Sequence, residues 1–136
     1  MVKFIENYQW VEMPLEAVCR LFQASNDVMG MVAPRVEPIT LEDGTVIDKA
    51  FADKKLLEIA VQKHLDAAAQ AEGYDNIHSA SIRAGYVGPF QAEGIKFASW
   101  MDNCWAKAYE VLAEVQAGSR TIPTAEELVA ELPVLV

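Results

Sequence analysis

The spacing of apolar residues changes character near residue 50. Upstream it is irregular and broken by prolines; downstream, apolar side chains recur at three- and four-residue steps among many alanines. "VKFIENYQWVE", residues 2–12, alternates imperfectly. Run as a single strand, it puts Phe4, Tyr8 and Trp10 on one face, because side chains repeat every second residue. In "MPLEAVCRLFQAS", Pro14 suits a first helical turn, and Leu15, Val18, Cys19 and Phe22 fall at helical spacing. A short helix is predicted over 14–24. In "VMGMVAPRVEPITLEDGTVIDKAF", Gly30 and the prolines exclude a helix. The part "ITLEDGTVID" reads as a hairpin, with Asp43-Gly44 supplying the positive-φ residues of a tight turn. A lone hairpin is marginal, so this one must pack on helices or on a partner.

The helical part begins with "DKKLLEIAVQKHLDAAAQAEG", 53–73, with Asp53 as N-cap and Gly73 closing the helix. Leu57, Val61, His64 or Leu65, and Ala68 form its stripe. A short helix over 75–84 follows, broken by Gly85, Gly88 and Pro89. The longest helix covers 90–118, where Phe97, Trp100 or Met101, Cys104, Ala108, Leu112 and Val115 repeat at helical steps. Gly94 costs about 1 kcal/mol against alanine in a helix interior. It is tolerated there if another backbone must come close. In "TIPTAEELVAELP", Thr124 and Glu127 form a capping box, Leu128 and Leu132 a short stripe, and Pro133 a stop. The pattern predicts one α+β domain over 1–136, mostly α. It has three to four helices (53–136) and a small N-terminal strand or hairpin element in an irregular part, 1–52, suited to binding a partner.

Composition narrows the function. A chain of 136 residues that is 52% hydrophobic can remove roughly two-thirds of its unfolded surface from water. The net charge of −9 argues against nucleic-acid and anionic-membrane partners, which call for basic patches. It fits a basic protein partner. The start, "MVKFIENYQW", carries Glu6 and no continuous apolar run, so no secretory leader is expected. No stretch approaches the ~20 apolar residues of a membrane span. Cys19 and Cys104, far apart and set among apolar residues, read as buried reduced thiols, with a disulfide the alternative that a domain of this size does not need. Two cysteines and two histidines with no local pair do not make a zinc site, and no metal or cofactor is expected.

"FQAEGIKFASWMDNCW", 90–105, gathers two tryptophans, two phenylalanines and a cysteine. At helical spacing this is core, with a ligand pocket the weaker reading. His64 lies near an apolar helix face, and His78 lies close to Ser79 and Ser81. A nucleophile–histidine pair needs a third, orienting group, and no G-x-S-x-G elbow is present. The expectation is therefore no catalytic residue. The acids of "AEELVAEL" read as a solvated helix face, and the glycines of "AGYVGP" lack phosphate-loop spacing. Val28, Met29, Met31 and Val32 stand in an irregular apolar stretch, and methionines adapt to irregular partner surfaces. With Trp10 they are the candidate interface residues.

Residues 64–133 carry an ordered set: Gly73-Tyr74-Asp75, Tyr86, Glu93-Gly94, Trp100 and Trp105, Gly118, Pro123-Thr124, Glu126-Glu127 and Leu132-Pro133. In that order the segment resembles a family of small phage domains of unknown function, found in tail-fibre proteins and in short reading frames beside them. Met101 stands where the family has an arginine between Trp100 and Asp102. The resemblance implies a non-enzymatic virion or tail-assembly protein, located in the virion or in the host cytoplasm during assembly. It would contact other tail proteins and repeat in a symmetric, homo-oligomeric assembly. The competing expectation is an acidic phage-encoded inhibitor of a basic host protein.

Overall fold

The computed structural model describes residues 1–23, 25–27, 30–32 and 34–135, with the backbone course alone at 25–27 and 30–32. The fold is α+β and mostly α, as the apolar spacing predicts. The chain forms two compact units, Met1–Ile59 and Ala60–Val136.

The first unit opens on a hairpin, β1 (Val2–Glu6) and β2 (Gln9–Met13), with Phe4 opposite Val11 and Ile5 opposite Trp10. The expected single strand over 2–12 is thus two strands. Asn7 and Tyr8 reverse the chain, both at positive φ (51° and 64°), the pattern of a type I′ turn. The reversal also separates residues expected to share a face. Phe4 points inward and is buried, and Trp10 points outward.

Helix α1 is Leu15–Arg20, shorter than expected, with Pro14 at its N-cap. Strands β3 (Ser25–Asp27) and β4 (Gly30–Val32) then pair, where an irregular loop was expected. Strands β5 (Ile39–Thr40) and β6 (Val46–Ile47) form the expected hairpin. Its turn differs in detail: the Leu41 N–H bonds to the Thr45 carbonyl (2.8 Å), and of Glu42-Asp43-Gly44 only Gly44 has positive φ. That is a three-residue loop in which the Asp43 carboxylate accepts the Thr45 N–H at 2.9 Å. Leu41 also bridges to Phe4, and the Glu42 N–H bonds to the Lys3 carbonyl at 2.7 Å. These contacts tie the two hairpins together over one core of Phe4, Val18, Cys19, Phe22, Ile39, Leu41, Ile47, Ala52 and Leu56.

Helix α2 is Lys49–Ala71 and begins earlier than expected. Its cap is Asp48, whose carboxylate accepts the Phe51 N–H at 2.8 Å; Asp53 instead pairs with Lys49 one turn back. Gly73, at φ +93°, closes the helix as expected, with the Tyr74 N–H reaching the Ala69 carbonyl.

In the second unit, Asp66 accepts the Ile77 N–H and so fixes the start of α3 (Ile77–Ser81), which Asn76 caps through the Ser79 N–H. A 3-10 turn, Ile82–Gly85, replaces the rest of the helix expected over 75–84. Helix α4 (Gln91–Gln116) buries Gly94, Phe97, Trp100, Cys104 and Val111. The buried stripe keeps the expected positions as far as Cys104 and then passes through Val111, leaving Ala108, Leu112 and Val115 half-buried. A Cβ on Gly94 would sit 2.7 Å from the Arg83 carbonyl carbon and closer still to the Ala84 nitrogen, so this is the close backbone approach expected there. Helix α5 (Ala125–Glu131) starts at Thr124, whose hydroxyl accepts the Glu127 N–H at 3.2 Å, one half of the expected capping box.

Candidate functional site

The first hairpin has two unlike faces because its residues alternate. Val2, Phe4, Val11 and Met13 turn toward the core. Lys3, Ile5, Trp10 and Glu12 turn away from it, with Tyr8 fully exposed at the tip. Trp10 is 59% exposed and Ile5, directly across from it, 58%. Glu12 faces Lys3 across the same pair of strands. The bond from Glu42 to the Lys3 backbone brings a second carboxylate to the other side of β1. Lys3, Trp10, Val11, Glu12 and Glu42 line an open hollow of ≈ 330 Å³. An indole with an apolar neighbour, rimmed by charges of both signs, is the composition of a contact surface. Covering a further ~100 Å² of apolar surface here would contribute about 2.5 kcal/mol before the costs of association.

Of the expected interface residues, Trp10 is therefore exposed on this face. Met31 and Val32 lie on β4, which is described by its backbone pairing. Val28 and Met29 lie outside the described residues. Ile5 and Tyr8 belong to the site and were not singled out from the sequence. Their placement follows from the Asn7-Tyr8 reversal, which sets Ile5 across from Trp10 and Tyr8 at the tip.

The residues weighed for catalysis sit elsewhere. Cys104 is fully buried, its thiol 3.8 Å from the Pro133 carbonyl, and burial pushes its pKa up to about 11. A thiol held protonated at neutral pH is not an activated nucleophile. Cys19 is also buried, and desolvation raises its pKa. His64 meets Trp100 edge-on, ring centroids 5.6 Å apart. His78 is exposed on α3, and the Asn76 carboxamide that caps that helix accepts from Ser79 N–H. Trp100 is 6% exposed and donates its indole N–H to the Pro133 carbonyl at 2.8 Å, while Trp105 is half-buried and tilted against Tyr109. Of the stretch 90–105 expected to be core, Phe97, Trp100 and Cys104 are packed inside, whereas Phe90 is exposed and Trp105 only half-buried, because they fall off the buried face of α4. Among the described residues, no three or more His, Cys, Asp or Glu side chains are grouped to hold a metal ion, and no helix is long and apolar enough to cross a membrane.

Compared with protein-family models, with curated proteins and with solved structures, the chain matches none of them.

Proposed function

We propose that this protein acts by contact, as a non-enzymatic bacteriophage virion or tail-assembly component, and that it docks through the outer face of its first hairpin. The observation that carries the reading is the placement of Trp10, Ile5 and Tyr8 in solvent on a hairpin whose other face is anchored by Phe4. Large rigid aromatics in water add nothing to the fold and supply contact area at low entropic cost. The setting comes from the ordered likeness of residues 64–133 to the phage domain family. The partners are other tail or virion proteins, and the subunit repeats with the symmetry of the tail.

The test is mass spectrometry of purified phage particles carrying the native gene or the variant Ile5→Ser/Trp10→Ala. Recovery of the native chain with the particles, and loss of the variant at equal expression, is the expected result. Equal recovery of both moves docking off the hairpin. Absence of the native chain from particles and from their assembly intermediates, with salt-sensitive capture of a basic host protein, supports the inhibitor reading instead.

A further inference from the structure

The chain has four arginines and 20 acidic residues. Among the described residues, three of the four arginines are held by carboxylates: Arg20 by Glu16 at 2.7 Å, Arg35 by Glu6 at 2.8 Å, and Arg120 by Glu131 at 2.9 Å and Glu114 at 3.4 Å. Arg83 is the exception. Its guanidinium lies over the Phe90 ring, 5.6 Å from the centroid, and donates to the Tyr86 hydroxyl at 2.8 Å. Glu93, in the first turn of α4, faces the Tyr74 hydroxyl, whose pKa is raised first by desolvation and then by this carboxylate. In so acidic a molecule, an arginine that two aromatic side chains hold, and no carboxylate, retains donors for a carboxylate from outside.

The surroundings are of one kind. Ile82 is exposed, as are Tyr86, Val87 and Phe90, on the 3-10 turn and the loop leading into α4. Gly94 locks this segment down. The Arg83 and Ala84 backbone lies against α4 where any other residue at 94 would place a Cβ, and the Gln91 side chain donates to the Ala84 carbonyl. The arginine is therefore fixed at both its backbone and its planar head, so little rotamer entropy remains to be lost on binding. A half-buried arginine beside an exposed tyrosine and phenylalanine is the make-up of an interface hot spot.

We infer that Arg83, Tyr86, Val87 and Phe90 form a second docking surface, and that its occupant is a segment of another protein presenting a carboxylate flanked by apolar side chains. The guanidinium takes the carboxylate by its free edge; Val87, Ile82 and the open part of Phe90 take the apolar flanks. This surface belongs entirely to the second unit and does not depend on the hairpin reading.

The probe is the acetylated hexapeptide amide Gly-Leu-Phe-Glu-Leu-Gly, with the same peptide carrying glutamine for glutamate as its control. Each is titrated into the isotope-labelled full chain while NMR follows the Arg83 Nε–H and the Phe90 ring. The expected result is saturable movement of both signals with the glutamate peptide, and about tenfold weaker binding of the glutamine peptide. Loss of one charge-assisted hydrogen bond is of that size. Arg83→Gln weakens the glutamate peptide to the level of the control, and Arg83→Lys recovers only part, because it keeps the charge but not the planar fork. Unchanged amide spectra away from the loop show that these variants are folded. Equal affinity for the two peptides, or no movement with either, overturns the inference. So does concentration-dependent self-association in sedimentation that Arg83→Gln abolishes, since the occupant would then be a second copy of this chain.

Discussion

In the first unit an indole lies on the outer face of a hairpin, 59% exposed beside Ile5; in the second an indole lies inside a long helix's packing, 6% exposed beside His64. Trp10 and Trp100 differ in what their neighbours supply. Trp100 has an acceptor for its N–H, the Pro133 carbonyl at 2.8 Å, so a large apolar side chain can be buried without orphaning its polar atom. Trp10 sits on a two-stranded element whose single inward face is already taken by Phe4, Val11 and Met13. A side chain's chemistry does not decide between core and contact; the number of faces its element can bury, and the presence of a polar partner, do.

The strongest way to break that contrast is Trp100→Ala. It should cost about 3–5 kcal/mol, since it removes a buried aromatic and leaves the Pro133 carbonyl only the weak Cys104 thiol as a donor; urea unfolding would measure this. A loss under 1 kcal/mol would mean that the α4 core is not what holds the second unit. Gly94→Ala comes next. Alanine ordinarily stabilises a helix interior, yet here its Cβ meets the Arg83 and Ala84 backbone, so a net loss of about 1–3 kcal/mol is expected. A gain in stability would show that the approach can relax.

Cys104 sharpens the comparison through pH. Burial raises its pKa from 9.0 to about 11, so the folded chain keeps the thiol proton after the unfolded chain has lost it. Stability attached to this group is intact below pH 9 and falls as pH rises between those two values. Cys104→Ala should flatten that limb of the stability–pH curve, read by thermal unfolding across alkaline buffers. The smallest expected effect is on the exposed indole. Trp10→Ala should change stability by no more than about 0.5 kcal/mol, because a surface side chain outside caps and networks contributes little. A loss of several kcal/mol would place Trp10 among the structural residues.

Much of the second unit was legible in the sequence because its signals are local. Gly73 and Gly118 stop helices in the left-handed region, Thr124 caps α5, and the steps from Phe97 through Trp100 to Cys104 match the period of one helix face. The first unit was harder for a physical reason. Positive φ at Asn7 followed by Tyr8 is unusual without glycine, so the reversal carried no strong turn signal and "VKFIENYQWVE" read as one strand. Once the turn is placed, the same alternation gives the right faces. Trp10, expected at an interface, is exposed, and its cross-strand partner Ile5 follows only from register. Arg83 was missed altogether, because its peculiarity is the absence of a carboxylate partner, which spacing along the chain does not reveal.

The bond from Trp100 to the backbone of Pro133 is vulnerable to mutation from one side only. A main-chain oxygen is present whatever residue follows Leu132, so position 133 can drift among residues that let the chain leave the helix there. Position 100 has no such freedom, since no other natural side chain offers both the indole's bulk and its donor. In a saturation library selected for folding, tolerance at the two ends of this one contact should be sharply unequal.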